Sequence, residues 1–426
     1  MNSFSLSVQI EINGTMTKVG TISGTDYKNA IFCYDDAYLS NKNSRPISIS
    51  LSLSKKAFSP EATKNYFEGL LPEGFTRKSI AESMHSDPDD YILILKELGK
   101  ECLGAVQIVD ESLPPVKAGY KELSKKEVKA LAEEGATLAA NIVIESHLSL
   151  TGASGKTGLY YDSKSKKWFQ PLGAAPSNYI VKQSHVRLNN IVVNEQLCLL
   201  TAKKLGLEIP ESFIIQTEKN KTDDADILFA TKRFDRYSDE NSKIISDLKI
   251  PYRLHQEDFA QALGINAIHK YEKNGEHYLK QMFSILRSYS VNPIEDQLKL
   301  WRITVFNFLI GNTDNHIKNY SIIYSKDLHT VRLAPCYDVV SSRVYKNGLI
   351  EMSLSLNGKL NIDEVTRADF EAEAKSIGLG SKLAMNIFDE VQSGLKGALM
   401  ESAEELNTLG FSKAKEIAEK IWTSVK

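Results

Sequence analysis

Four polar side chains in this sequence have types and spacings from which phosphoryl-transfer chemistry can be built. The apolar run TVFNFLIG gives way at Gly311 to a polar loop holding Asp314, Asn315, His316, Lys318 and Asn319, and an apolar run resumes in YSIIY. Five positions separate Asp314 from Asn319. One loop thus offers a carboxylate that can orient and deprotonate an acceptor hydroxyl, and a neutral amide oxygen that can ligate a divalent cation without a second negative charge. Nineteen residues after Asn319, LAPCYDVVSS brings a single carboxylate, Asp338, to the end of an apolar approach. Loops rich in Asn and Asp also arise as turns capped by side-chain-to-backbone bonds, and either loop alone reads equally well that way. Both in this order, with a strand lysine upstream, favour phosphoryl transfer.

That lysine is Lys182, in SNYIVKQSH, where Ile180 and Val181 let the stem pack on a sheet while the ammonium reaches a phosphate. An exposed strand lysine is the plainer alternative. Glu195, on the following helix, can pair with Lys182 or simply be a solvated helix-face carboxylate. Further upstream, LSLTGASGKTGL ends like a Walker loop at Gly155-Lys156-Thr157, but Leu150 stands where the first glycine belongs and Gly152 is only three residues before Gly155. What remains is a turn rich in hydroxyls and glycine. Its backbone N–H groups can surround phosphate oxygens, or it can be an ordinary hairpin turn. The D-x-x-x-x-N spacing is that of a protein-kinase catalytic loop, which a metal-binding aspartate follows.

Composition limits what else the chain can be. It has 426 residues, with 52 basic against 54 acidic for a formal charge of −2, so no chain-wide positive field draws it to nucleic acid or anionic membrane. Cys33, Cys102, Cys198 and Cys336 lie far apart with no CxxC pair, which argues against a disulfide scaffold or zinc cluster and for a reducing compartment. With no basic leader and no long apolar run, a soluble cytoplasmic protein is expected.

The elements that must position these residues read in three blocks. Asn13-Gly14 closes an alternating hairpin. Ser59-Pro60-Glu61 starts a helix that stops near LLPEG, YILILKELG is a helix ended by Gly99, and GAVQIVD is a strand. Leu113 to Lys121 reads as an exposed connector, followed by a helix capped by Ser124 and Glu127. From Ile142 to Ile227 strands surround one strong helix, VVNEQLCLLTAKKLGL; after Arg236 the pattern is mainly helical. The domains expected are 1–140, 141–235 and 236–426.

With these residues in view, the sequence resembles the HipA family of bacterial toxin serine/threonine kinases. The pieces that carry the resemblance, in order, are LLPEG (Leu70 to Gly74), GKECLGAV (Gly99 to Val106), SLTGASGK (Ser149 to Lys156), YIVK (Tyr179 to Lys182), NEQLCL (Asn194 to Leu199), KRFDR (Lys232 to Arg236), LHQEDFAQALG (Leu254 to Gly264), IGNTDNHIKN (Ile310 to Asn319) and LAPCYD (Leu333 to Asp338). The resemblance implies an α+β, bilobal protein-kinase-like fold with a sheet-rich N-terminal subdomain and a mainly helical C-terminal lobe. It implies a bacterial cytoplasmic enzyme using ATP and Mg²⁺, with Asp314 as catalytic base, Asn319 and Asp338 as metal ligands and Lys182 on the phosphates. Gly152, Ala153, Ser154, Gly155, Lys156 and Thr157 would cover the nucleotide, while Lys232 and Phe234 would meet the adenine at a hinge. Ser149 falls where the family autophosphorylates; Thr151 is a second candidate acceptor, though it reads more readily as a turn hydroxyl. The implied partners are a HipB-like helix-turn-helix antitoxin, through which alone DNA would be touched, and a protein substrate such as an aminoacyl-tRNA synthetase. No membrane is implied.

Ser154 and Gly155 depart from the family's loop pattern and make that loop more flexible. Val339-Val340 stands where eukaryotic kinases carry Phe-Gly, so no swinging switch is expected there. His316 braces the catalytic loop or is a satisfied structural histidine. His255, Glu257 and Asp258 crowd together as metal ligands can, yet they sit at a helix start, where acids favour the dipole, and that reading is preferred. Cys336 and Trp301 read as core. Two other functions remain on the sequence alone: a degenerate nucleotide-binding subunit of a toxin–antitoxin repressor complex, and a small-molecule kinase on the same fold.

Overall fold

The computed structural model of the chain describes residues 3–114, 116–134, 155–184, 188–345 and 350–424. Its elements begin where local chemistry requires. Asn13 and Gly14 both take positive φ, 49° and 78°, the pair of left-handed residues that a type I′ turn needs. They join β1 (Phe4–Ile12) to β2 (Thr15–Gly24) with Ile12 opposite Thr15. The Ser59 side chain accepts from the Ala62 N–H ahead of helix Pro60–Phe67, and Asp90 does the same for Leu93 in helix Tyr91–Leu98. Ser124 and Glu127 form a reciprocal capping box on helix Lys125–Glu133.

By its internal contacts the chain divides into two compact units. The first comprises Met1–His185, Ala230–Ala267 and Ile323–His329, and the second Val186–Phe229, Ile268–Ile322 and Thr330–Lys426. In the first unit, β3 (Ile31–Tyr34), β2, β1 and β4 (Val106–Val109) form a sheet in that order. Helices Pro60–Phe67 and Tyr91–Leu98 pack on it, burying Val8, Ile10, Ile22, Phe32, Phe67 and Leu95 completely. A second run of strands has the order β5 (Gly119–Glu122), β7 (Lys167–Leu172), β6 (Lys156–Asp162), β8 (Tyr179–Gln183).

Two expectations need correction here. The stretch taken as an exposed connector, Leu113 to Lys121, contains the start of β5, which pairs antiparallel with β7 so that Gly119 faces Leu172 and Glu122 faces Phe169. Its four residues are too few and too polar to show alternation. Nor does helix begin directly after Arg236: five strands of two or three residues come first, between Arg236–Tyr237 and Gln256–Asp258, each too short to show an alternation.

A buried charge network lies within the first unit. Arg233, Arg236 and Arg253 meet Glu101, Asp235 and Glu11, all with side chains at most 7% exposed. Glu101 binds Arg236 at 2.7 Å, Arg233 at 3.0 Å and Arg253 at 2.7 Å. The guanidiniums also donate to the Cys102 and Gly104 carbonyls, and the Gly104 N–H donates to Asp235 at 2.7 Å. Buried charges persist only when paired and hydrogen-bonded, and these are both. Gly104 has φ 74°, and a Cβ there would stand 2.8 Å from the Gln256 carbonyl oxygen.

Glu257 is buried in the same unit and accepts from Ser48 Oγ (2.5 Å), the Ile49 N–H (3.0 Å) and the Tyr324 hydroxyl. Burial pushes its carboxyl up to about 7, against the pull of the three donors. A carboxyl raised in the fold holds its proton more tightly there than in the unfolded chain. Its stabilising contribution is therefore complete below the ordinary value of 4.5 and falls away as pH rises through about 7. Glu257→Gln keeps an acceptor for Ile49 and Tyr324, which share Oε1, and removes the titration. We expect the wild-type urea midpoint to fall between pH 5 and pH 8 by the equivalent of up to roughly 3 kcal/mol and the variant to lose that component; identical pH slopes for the two proteins would refute the assignment. Neighbouring Asp258 caps helix Phe259–Leu263 through a capping box with Gln261, as its place at a helix start suggests.

The second unit is mainly helical. Helices Ile191–Lys204, Tyr278–Tyr289, Pro293–Leu309, Arg367–Ser376, Ser381–Thr408 and Lys413–Ser424 surround an apolar core. Trp301 is fully buried there and donates its indole N–H to the Ala384 carbonyl at 2.9 Å. Phe370 meets Trp301, Phe308 and Phe388 with ring centroids 4.8 to 5.7 Å apart. Among the described residues no helix is long and apolar enough to cross a membrane.

Candidate functional site

Helix Pro293–Leu309 delivers the loop that carries Asp314. Proline at its start and Glu295 and Asp296 in its first turn favour the N-terminus, and Gly311 (φ 70°) turns the chain out of it. Asn312 reaches back to Asn307 through both its backbone N–H and its amide, each at 2.9 Å. Thr313 is clamped from two sides. Its N–H donates to Ser342 Oγ at 2.9 Å, and its carbonyl accepts from the Ser353 N–H (2.9 Å) and hydroxyl (2.8 Å).

Beyond that clamp Asp314 is exposed, while His316 and Lys318 are buried and Asn319 is half-buried. The Asn319 amide nitrogen donates to the Asp314 main-chain oxygen at 2.9 Å, closing the five-residue span with the amide oxygen as its remaining acceptor. The Asp314 side chain stays outside that bond. Its Oδ1 accepts from the Tyr271 hydroxyl at 3.0 Å, and the Tyr271 ring meets His316 edge-on with centroids 5.3 Å apart.

Asp338 reaches this loop through its neighbour. The Tyr337 hydroxyl bonds Ser321 Oγ at 2.6 Å and the Lys318 carbonyl at 3.1 Å, while the Ala334 N–H donates to the Ser321 carbonyl. Asp338 has φ 58°, a left-handed conformation that aspartate tolerates better than most side chains and that costs strain unless held from outside. The restraint comes from Asn194, fully buried on helix Ile191–Lys204. Its amide donates to the Ser341 carbonyl (2.9 Å) and accepts from the Ser341 N–H (3.1 Å). Glu195, next in sequence, is also buried. Burial pushes the Cys336 thiol up to about 12, which suits a core residue and not a nucleophile.

The first unit holds the other candidates. Lys182 on β8 is 9% exposed and stands directly opposite Lys156 on β6, with Thr157 opposite Val181. Directly paired residues share a sheet face, so two ammonium-bearing side chains project together. Thr157 points to the opposite face, buried, and Gly155 precedes the strand. Lys232 is exposed at the end of strand Ile227–Lys232 and Phe234 is half-buried. The residues between and after them, Arg233 and Asp235, turn inward to the charge network, and the Arg233 N–H donates to the Asn178 carbonyl at 2.9 Å. Backbone at 232–236 is thereby held rigid. Ser149, Thr151, Gly152, Ala153 and Ser154 lie outside the described residues.

Asp314, Asn319 and Asp338 thus belong to one hydrogen-bonded assembly in the second unit, whereas Lys156 and Lys182 pair in the first. Sequence reasoning missed Tyr271, Asn194, Ser342 and Ser353, whose partners lie 29 to 147 residues away. Asn194 had one signal, its place in NEQLCL. Among the described residues no three His, Cys, Asp or Glu side chains cluster as a metal cage. Asn319 and Asp338 offer hard oxygen donors of the kind Mg²⁺ accepts when substrate phosphates complete its shell, so the donor set fits that ion.

Comparison with known proteins agrees with the architecture. Residues 148–399 match the HipA-like C-terminal domain and residues 10–109 the HipA N-terminal domain. A Sinorhizobium fredii protein named "Putative kinase Y4mE" is 27% identical over 406 residues, covering 93% of this chain and 92% of its own. The serine/threonine-protein kinase toxin HipA of Shewanella oneidensis is 23% identical over 364 residues, covering 83% and 80%. Among solved structures, the Shewanella oneidensis MR-1 complex of HipA, HipB and operator DNA superposes with a TM-score of 0.78 at 19% identity, over 98% of this chain and 96% of that one. The fold is α+β and kinase-like, and the chain belongs to the HipA family.

Proposed function

We propose that this chain is an ATP- and Mg²⁺-dependent serine/threonine protein kinase of HipA type. The observation that carries the proposal is the loop Asp314 to Asn319, closed on itself by the Asn319 amide and tied through Tyr337 to the segment ending in Asp338. In it the Asp314 carboxylate stays exposed to meet a hydroxyl while hydrogen bonds hold the loop backbone. Such an enzyme works by positioning and charge neutralisation.

Asn319 and Asp338 would hold Mg²⁺, which when bound neutralises charge on the nucleotide's phosphates. Asp314 orients the acceptor hydroxyl and takes its proton as the oxygen bonds to the γ-phosphorus and the bridging P–O bond breaks with its electron pair leaving on ADP. In this proposal Lys182 would contact the phosphates, Gly152 to Thr157 would cover the nucleotide, and backbone groups at Lys232 and Phe234 would meet the adenine. His316, buried behind the loop, braces it. Ser149 is the proposed autophosphorylation site; a dianion there would repel the nucleotide's own phosphates. The proposed partner is a HipB-like helix-turn-helix antitoxin, DNA being contacted through that complex, and the proposed substrate is a protein of the translation apparatus.

The test is transfer of label from γ-labelled ATP, using the purified chain and a bacterial lysate with and without a chelator of divalent cations. Label should enter protein, including the kinase itself on Ser149 by phosphopeptide mapping, and chelation should reduce transfer by at least about 10²-fold. Label found only in small molecules would point to a metabolite kinase, and no transfer at all would leave a nucleotide-binding subunit of a repressor complex.

A further inference from the structure

Tyr271 lies outside every motif in the sequence, yet its hydroxyl donates to Oδ1 of Asp314 at 3.0 Å. The contact is built and not incidental. Glu272 donates its N–H to the Ser353 carbonyl at 3.0 Å, and its carboxylate accepts from the Ser355 N–H (2.9 Å) and hydroxyl. Ser353 in turn binds the Thr313 carbonyl through its N–H and hydroxyl. One strand, Glu351–Leu356, therefore sets the residue after Tyr271 and the residue before Asp314 in a common frame. The ring's edge-on contact with buried His316 fixes its direction. At 46% exposure Tyr271 is still accessible from solvent.

We propose that Tyr271 is a specificity-setting positioning residue: its hydroxyl occupies, on Oδ1 of Asp314, the donor place that an acceptor hydroxyl must take, so water is kept from that oxygen until a bound protein substrate displaces the phenol. This rests on the assignment of Asp314 as the base. The chemistry is a competition between donors for one carboxylate oxygen. A serine or threonine hydroxyl held by a docked polypeptide can win it, because binding elsewhere on the substrate offsets the loss of the phenol's bond. Free water has no such support.

The experiment measures phosphate release by the full chain with Mg·ATP and no protein acceptor. In this reaction the water oxygen bonds to the γ-phosphorus, the bridging P–O bond breaks with its electron pair staying on ADP, and a water proton passes to Asp314. Tyr271→Phe keeps the ring against His316 and removes only the hydroxyl. It should raise kcat for hydrolysis by about 3- to 10-fold, the size of one competing hydrogen bond, with KM for ATP unchanged, and the gain should vanish in the double variant with Asp314→Asn. Hydrolysis by Tyr271→Phe at or below the wild-type rate overturns the proposal. Asp314→Asn hydrolysing as fast as wild type overturns the base assignment instead, whatever the Tyr271 variant does.

Discussion

Asp314→Asn is expected to lower phosphate transfer from ATP by about 10²–10⁴-fold while leaving the melting temperature close to wild type. The separation of effects follows from the loop's construction. The bond that closes the loop goes to the main-chain oxygen of Asp314, and the clamps on Thr313 come from Ser342 and Ser353. None uses the Asp314 carboxylate, and an asparagine of the same shape can still accept from Tyr271 through its amide oxygen. What disappears is the ability to take a proton from a hydroxyl. Transfer measured with labelled ATP alongside thermal unfolding decides the matter: full activity in the variant would refute the base assignment, and loss of both activity and fold would refute the separation argued here.

Glu101→Gln should instead destabilise the first unit severely, by about 3–5 kcal/mol, the usual penalty for removing one partner of a buried ion pair. Three guanidiniums and three carboxylates balance in this network; the substitution leaves three positive charges facing Glu11 and Asp235. Burial by itself pushes the Glu101 carboxyl up, but Arg236, Arg253 and Arg233 outweigh it and hold the group below its ordinary value. Asp235 is depressed likewise, burial being outweighed by Arg233 and Arg236. A depressed carboxyl stabilises the fold fully above its unfolded value and loses that contribution progressively as pH falls from there through its folded one, so the network should weaken steadily as pH drops below the ordinary carboxylate range. Urea unfolding at neutral pH tests the substitution. A useful contrast is Asp389→Ala, which breaks an ion pair with Arg367 in which both side chains are 52% exposed and should leave stability close to wild type, because solvent screens exposed pairs. Equal effects from the two substitutions would show that burial is not what matters.

Features determined by short-range chemistry were legible in the sequence alone. The Asn13-Gly14 turn, the caps at Ser59 and Ser124 and the closed span from Asp314 to Asn319 each depend on bonds between residues at most five apart. Residue type and spacing therefore suffice to foresee them, just as the order of nine short motifs sufficed to indicate the family. Tertiary structure alone decided that Glu101 faces Arg253 across 152 positions, that Asn194 restrains the backbone after Asp338 across 147, that Lys156 stands opposite Lys182, and that Tyr271 reaches the carboxylate of Asp314. These pairings come from loop closures and strand registers whose entropy is offset by the whole core. No local pattern encodes them: a glutamate in GKECLGAV or a tyrosine after Lys270 looks the same whether it ends in solvent or in a network.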